Sequence, residues 1–314
     1  MQIIRGIEAL YSPYPNTVLT IGNFDGIHLG HQKIFSMVKK RSEEINGTSM
    51  VMTFDPHPVK VLAPEKEIKL LTTFEEKAKI IESMGIDVLL CVVFDREFSN
   101  MLPDDFIHEI LVRKIDAKEI IVGSDYAFGK NKRGTVELLR RWGTKYGFQV
   151  RIVRPVKVHG DIVSSSRVRS FLIKGAVSDV SNLLGRAYSI EGRVVRGKGR
   201  GRALLNIPTA NITTPVEIAP KEGVYAVRVD INGRIYEGVA NIGRNPTFGN
   251  PDTSYEVHLL DFSENILGEK IRIFFIDRIR GEKLFPDALS LEKQIRGDIK
   301  EAEEILSRRH PLLI

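Results

Sequence analysis

Gly22-Asn23-Phe24-Asp25-Gly26-Ile27-His28-Leu29-Gly30-His31-Gln32 is the stretch from which the fold of the 314-residue chain is read. It follows a short apolar run, Val18 to Ile21, and precedes a helical pattern carried by Ile34, Phe35, Met37 and Val38. The order is strand, glycine-bearing turn, helix start. A helix start offers unpaired backbone N–H groups and a positive dipole end, so it suits an anion. His28 and His31 stand three apart and share one face of the first turn. Gly30 lets a bulky ligand approach the backbone between them. Two imidazoles there could donate hydrogen bonds to phosphate oxygens that gain charge in a transition state. Three readings stay open: a surface histidine pair, a zinc site, and a phosphate-handling pair. Zinc would need a third ligand, and His-Glu-x-x-His spacing is absent. The position directly after a strand favours phosphate.

Outward from this turn, short apolar runs alternate with helical patterns as far as Val153. Strands are expected at Ser49 to Phe54, Asp87 to Phe94, Glu119 to Gly123 and Phe148 to Val153. Helices are expected after Thr72 and Thr73 to about Met84, from Pro103 to Val112, and from Thr135 to Tyr146. This alternation predicts a doubly wound parallel sheet, with ligands at the carboxyl ends of its strands. Polar punctuation falls at those ends. Phe54-Asp55-Pro56-His57-Pro58 is a rigid turn holding an acid and an imidazole. Gly123-Ser124-Asp125-Tyr126-Ala127-Phe128-Gly129 is either a generic loop or a wrap for a flat heteroaromatic ring. Ser164, Ser165 and Ser166 open a helix as caps, and Arg169 one turn in could clamp a polyphosphate.

Composition narrows the class. The hydrophobic fraction of 42% and charged fraction of 27% are those of a soluble globular protein. No run approaches the ~18 apolar residues of a membrane helix. The single cysteine, Cys91, lies in an apolar run, so no intrachain disulfide is possible and a cytoplasmic location is expected. The net charge of +6 points to anionic ligands, either nucleic acid or nucleotides. The acids Asp25, Asp55 and Asp125 and the lack of a basic-aromatic stripe argue against nucleic acid.

After a short helix at Val177 to Arg186 the periodicity changes. Strands are expected at Tyr188 to Val195, Val224 to Ile231, Ile235 to Asn241, Tyr255 to Phe262 and Lys270 to Asp277, then a helix from Pro286 to about Arg308. Asn232-Gly233 signals a hairpin. Consecutive strands and a final helix predict a small antiparallel barrel. Gly192-x4-Gly197-Lys198 resembles a P-loop, but Gly199 replaces the Ser or Thr and a barrel strand precedes it, so that reading is rejected. Gly197, Gly199 and Gly201 could still form a phosphate flap, or a basic loop. Thr209 and Asn211 alternate along an extended segment and suit Mg2+, or form a polar turn. Glu256 is either a solvated strand carboxylate or a general base. Asn241 to Phe248 reads as a turn-rich loop.

Gly-x-Phe-Asp-Gly-x-His-x-Gly-His resembles the signature of the His-x-Gly-His nucleotidyltransferases, in the wording of the bacterial bifunctional riboflavin kinase/FMN adenylyltransferase family. Phe-Asp-Pro-His-Pro, Gly-x-Asp-(Phe/Tyr)-x-Phe-Gly and Ser-Ser-(Thr/Ser)-x-x-Arg follow in that family's order, with Tyr126 and Ser166 as mild departures. Pro208-Thr209-Ala210-Asn211, Asn-Ile-Gly-x-Asn-Pro-Thr-Phe, Glu-x-His-x-Leu-Asp-Phe and Arg280 to Phe285 resemble riboflavin kinase. Asn206 departs, standing where the family usually has Gly.

The resemblance implies an adenylyltransferase domain at 1–185 and a kinase domain at 186–314. The substrates would be riboflavin, FMN and ATP, with Mg2+ as cofactor and FAD as product. It implies no nucleic-acid or membrane partner, and leaves the oligomeric state open. His28 and His31 would contact ATP phosphates, with Gly22, Phe24, Asp25, Gly30 and Asp55 around the nucleotide. Ser164 to Ser166 and Arg169 would hold the triphosphate, and Asp125, Tyr126 and Phe128 would border the flavin. Thr209 and Asn211 would bind Mg2+ with ATP beside Pro208 and the glycine flap, and Glu256 would deprotonate the terminal ribityl hydroxyl.

Overall fold

A computed structural model describes residues 1–196, 208–245 and 252–308. The chain forms two compact units, Met1–Ser164 and Ser165–Ile314.

The first unit is a six-stranded sheet in the order β1-β4-β3-β2-β5-β6. The strands are β1 Gln2–Arg5, β2 Val18–Ile21, β3 Ser49–Asp55, β4 Val88–Val93, β5 Glu119–Gly123 and β6 Gln149–Val153. Every pairing is parallel. Neighbouring residues face opposite layers. Leu19, Met50, Met52 and Leu90 enter one core, and Val18, Val51 and Leu89 enter the other. That is why β2 reads as an unbroken apolar run: both its faces are covered. The helices Leu29–Glu44, Phe74–Ser83 and Val136–Tyr146 supply cover, and the last two start where expected because the hydroxyls of Thr73 and Thr135 accept backbone N–H bonds. Central β2 has β3 on one side and β5 on the other, so sheet order reverses there and its carboxyl end opens a crevice. The buried carboxylate of Glu119 is held by Arg41 and Arg151.

Two expectations in this half are corrected. The sheet begins earlier than Val18, because Gln2–Arg5 pairs with β4. Pro103 to Val112 is not a plain α-helix. It is one turn, Pro103–Asp105, running into a π-helical stretch, Phe106–Lys114, where Ile115 N donates to Ile110 O at 2.9 Å. The wider winding keeps Phe106, Ile107, Ile110 and Leu111 in the core. A two-residue hairpin, β7 Lys157–Val158 with β8 Asp161–Ile162, closes the unit.

The second unit begins with helices Ser165–Lys174 and Val177–Leu184. A closed barrel follows in the order β10-β13-β12-β11-β14-β9. Its strands are β9 Tyr188–Val195, β10 Ala210–Thr213, β11 Gly223–Ile231, β12 Arg234–Asn245, β13 Asp252–Leu259 and β14 Lys270–Arg280, all antiparallel. Asn232 and Gly233 both have positive φ, +53° and +84°, as a two-residue hairpin turn of the primed type requires. Tyr225, Val227, Val229, Ile273 and Phe275 alternate with residues of the outer face and are fully buried. The terminal helix Ala288–Arg308 packs Ala302 and Leu306 on the outer face, against Val224, Ala226, Val239, Phe274 and Ile276. A buried ion pair ties helix to barrel. Arg280 donates to both oxygens of Asp298 at 2.7–3.0 Å, and Gln294 Nε2 donates to Asp298 Oδ1 at 2.8 Å.

Strand ends also differ from expectation. β12 runs on to Asn245, so Asn241 to Asn245 is ladder and not turn. β13 stops at Leu259, and Asp261 takes a left-handed φ of +50° in the turn. Gly197, Gly199, Gly201, Asn206 and Pro246 to Phe248 lie outside the described residues. Among the described residues no helix is long and apolar enough to cross a membrane.

Candidate functional sites

The turn after β2 is built by close packing. Phe24 and Ile27 hold φ of +48° and +40°, and Gly26 +78°. Phe24 folds its ring back over Gly22, where a Cβ would stand 2.8 Å from the ring; only glycine fits without displacing it. The same ring meets His31 edge-on at 5.2 Å and Phe35 at 4.8 Å. The buried carboxylate of Asp25 accepts from Leu71 N at 3.0 and 3.2 Å and from Thr72 N at 3.3 Å, pinning a distant loop to the turn. Phe24 and Asp25 thus do internal structural work here.

His28 is the N-cap residue of helix Leu29–Glu44 and His31 lies in its first turn. Their rings stack at 3.7 Å with 19° between planes. A Cβ at Gly30 would lie 3.1 Å from the His28 ring, so the bare backbone there makes room for the stacked pair. Burial, then the neighbouring His28, then Lys77 hold the His31 imidazole well below the ordinary histidine pKa. His31 is therefore neutral at physiological pH, and its Nδ1 is buried without a hydrogen-bond partner among the described residues. A buried, unspent imidazole nitrogen at a helix start fits a ligand that brings its own polar atoms. No group of three His, Cys, Asp or Glu among the described residues could hold a metal, which removes the zinc reading there.

The other strand ends carry the remaining residues. Asp55 is exposed at the end of β3, and His57 Nδ1 accepts from Val59 N at 3.2 Å, capping the helix Pro58–Leu62. After β5, Asp125 is exposed, while Tyr126 and Phe128 stack at 5.5 Å and 18°. Phe128 is buried in the core against Phe106, so only its Tyr126 side could form a wall for a flat ring. Burial raises the Tyr126 phenol far above its ordinary pKa. Cys91 is buried in β4, and its thiol is pushed up to about 11 by burial and then by Asp55. Ser165, Ser166 and Arg169 lie in the first turns of helix Ser165–Lys174, with Ser164 directly before it.

The barrel site is built by register. Asn211 on β10 pairs with Glu256 on β13, and Glu256 pairs with Asn241 on β12. Directly opposed residues point to the same face, so an acid stands between two amides. The row continues through Val224 on β11 to Arg280 on β14. This is the outer face, and between it and the terminal helix lies a cavity of about 650 Å3. Thr209, Asn241, Glu256 and His258 line its polar side, and Phe285, Leu291 and Ile295 its apolar side. His258 Nδ1 lies 2.8 Å from the carbonyl oxygen of Pro208; it must donate there, which ties the segment carrying Thr209 to β13. Asn211 shares the face of Glu256 but is not among the cavity-lining residues. Asn241, His258 and the Arg280–Asp298 pair had no role in the sequence reading. Lys77, buried beside the first site, was also missed.

Residues 12–167 match the FAD synthetase family and residues 184–306 match the riboflavin kinase family. A bifunctional riboflavin kinase/FMN adenylyltransferase of Buchnera aphidicola subsp. Acyrthosiphon pisum is 39% identical over 302 residues, covering 95% of this chain and 96% of the relative. The Escherichia coli K12 protein of the same name is 36% identical over 313 residues, 99% and 100% of the two chains. A crystal structure titled as a macrolide-efflux protein from Streptococcus pneumoniae superposes with a TM-score of 0.89 at 30% identity, covering 96% of this chain and 99% of that one. With both halves matched and relatives aligned nearly end to end, the chain belongs to the bifunctional riboflavin kinase/FMN adenylyltransferase family.

Proposed function

We propose that the two activities of this family are divided between the two sites, with residues 1–185 carrying adenylylation and residues 186–314 phosphorylation. The enzyme phosphorylates riboflavin with ATP to give FMN, then adenylylates FMN with ATP to give FAD and pyrophosphate. The observation that carries the division is the registered row Asn211–Glu256–Asn241 beside a cavity large enough for a ligand.

In the barrel, Glu256 accepts the proton of the terminal ribityl hydroxyl as that oxygen attacks the γ-phosphorus of ATP, and ADP leaves. The apolar wall of the cavity receives the flavin ring. Thr209 and Asn211 are neutral oxygen donors beside a carboxylate, a donor set suited to a hard cation that keeps most of its ligands from water and phosphate. They would hold Mg2+, which would supply charge neutralisation to the phosphates. In the first site, a phosphate oxygen of FMN attacks the α-phosphorus of ATP and pyrophosphate leaves. His28 and the neutral His31 donate hydrogen bonds to the phosphates, Ser164 to Ser166 and Arg169 hold the triphosphate, and Asp125, Tyr126 and Phe128 border the flavin. The basic charge serves nucleotides and not nucleic acid, and the buried lone thiol of Cys91 suits the cytoplasm.

The test is a time course with riboflavin, ATP and Mg2+, separating riboflavin, FMN and FAD. FMN should rise first and FAD follow. FMN alone would reject the assignment of the His28/His31 site, and FAD formed only from added FMN would reject that of the barrel.

A further inference from the structure

Lys77 is a buried amine that the scheme above does not use. It lies on helix Phe74–Ser83 among Glu76, Ala78 and Ile81, and is 7% exposed. Its ammonium donates to the carbonyl oxygen of Asn23 at 2.7 Å and lies 3.4 Å from Thr53 Oγ1. The Thr53 hydroxyl donates to the same carbonyl at 3.3 Å. Thr53 is near the carboxyl end of β3, and Asn23 follows the carboxyl end of β2. One nitrogen thus joins two neighbouring strand ends on the ligand side of the sheet. Asn23 immediately precedes Phe24, whose ring meets His31 edge-on.

Burying an ammonium is costly, and a methionine of similar length would fill the same space. No carboxylate lies within ion-pair distance of Lys77 among the described residues. Burial lowers the Lys77 pKa, while Asp25, then Cys91 and Asp55, act against that shift, and Lys77 in turn disfavours protonation of His31.

We propose that Lys77 is a positioning residue for adenylyl transfer: its ammonium clamps the Asn23 carbonyl to the Thr53 hydroxyl, fixes the turn through which Phe24 orients His31, and presents a fixed positive charge where the anionic ligands bind. The same charge helps keep His31 neutral, so that one ring nitrogen donates and the other is left as an acceptor. The proposal rests on the reading of His28 and His31 as the phosphate-contacting pair.

The test uses the full chain with Lys77→Met and Lys77→Arg. FAD formation from FMN, riboflavin phosphorylation in the same preparation, and the titration of the His31 ring by NMR are measured, with the His31 signal assigned by its loss in His31→Asn. Lys77→Met should lower kcat for FAD formation about 10- to 100-fold, as expected for lost alignment. It should also raise the His31 pKa and leave riboflavin phosphorylation unchanged. Lys77→Arg, which keeps the charge, should keep the His31 titration low. A folded Lys77→Met with wild-type kcat, or with the His31 titration unmoved, overturns the proposal. If Lys77→Met does not fold, Thr53→Val removes one partner and leaves the ammonium. It should then lower kcat roughly 3- to 10-fold with the His31 titration unmoved, and wild-type kcat overturns the proposal. His28→Ala separates the two ideas. Full adenylylation by that variant sinks the phosphate-contact reading itself, whereas an inactive His28→Ala beside a fully active Lys77→Met sinks only the role of Lys77.

Discussion

The two sites of this chain are assembled by opposite means. The turn around His28 and His31 is tightly packed and over-determined: stacked rings, a phenylalanine folded over a glycine, a buried acid pinning a second loop, a buried lysine. The barrel site is a row of side chains on a ladder face, placed by strand register beside an open cavity. Under the roles proposed above, chemistry and stability share the same residues in the first. In the second, they are separable, because the buried neighbours Tyr255 and Val257 set the register of β13 and Glu256 itself does not. Substitutions should therefore be chemically clean in the barrel and structurally expensive in the turn.

The largest effect expected is at Glu256. Glu256→Gln keeps shape and register but cannot accept a proton. FMN formation should fall by about 10²- to 10⁴-fold, the range for loss of a general base, while FAD formation from added FMN stays at the wild-type rate and thermal unfolding is unmoved. A fall in both activities would end the claim that the barrel site is separable.

Next is the ion pair that joins the terminal helix to the barrel. Asp298→Ala strands the guanidinium of Arg280, whose side chain is 14% exposed. Removing one partner of a buried pair costs roughly 3–5 kcal/mol. The riboflavin kinase activity should then be lost at a lower temperature, measured as residual activity after heating. Unchanged heat resistance would show that the cavity wall does not depend on this pair. His28→Ala should lower FAD formation about 10²- to 10³-fold, comparable to losing an electrostatic donor, and leave FMN formation intact.

The contrast also explains what the sequence discloses. Register is written locally: alternation along β11 and β13 and the Asn232-Gly233 turn are enough to place Glu256 on one face. The strand–turn–helix around Gly22 is equally local. What escapes reading depends on partners far along the chain. Asn241 looks like the start of a loop until β12 is seen to continue beside Glu256. Lys77 looks like one more charge on an amphipathic helix, because nothing nearby in sequence shows that its ammonium meets Asn23. Arg280 and Asp298 meet only when the terminal helix docks. Gln2–Arg5 has no punctuation to mark it, and the π-helical winding of Phe106–Lys114 leaves the apolar spacing almost unchanged.

The smallest expected effect tests the turn alone, through pH. His31 has its pKa lowered in the folded state, first by burial, so it resists protonation that the unfolded chain accepts near the ordinary histidine value of about 6.5. Below that pH the unfolded state binds more protons than the folded state, so stability rises with pH there and falls as pH drops. The stability is fully present above about pH 6.5 and is lost on acidification until the folded-state pKa is reached. One such group gives at most about 1.4 kcal/mol per pH unit. Lys77, whose own pKa burial lowers, is present with and without the His31 ring, so the comparison below isolates the histidine. Unfolding of the first unit, followed between pH 5 and pH 7 by the fluorescence of Trp142, the single tryptophan of the chain, should steepen on the acid side. His31→Asn should flatten that dependence while riboflavin kinase inactivation keeps the same profile in both proteins. An equal acid dependence with and without the His31 ring would show that the close packing of the turn does not govern its charge.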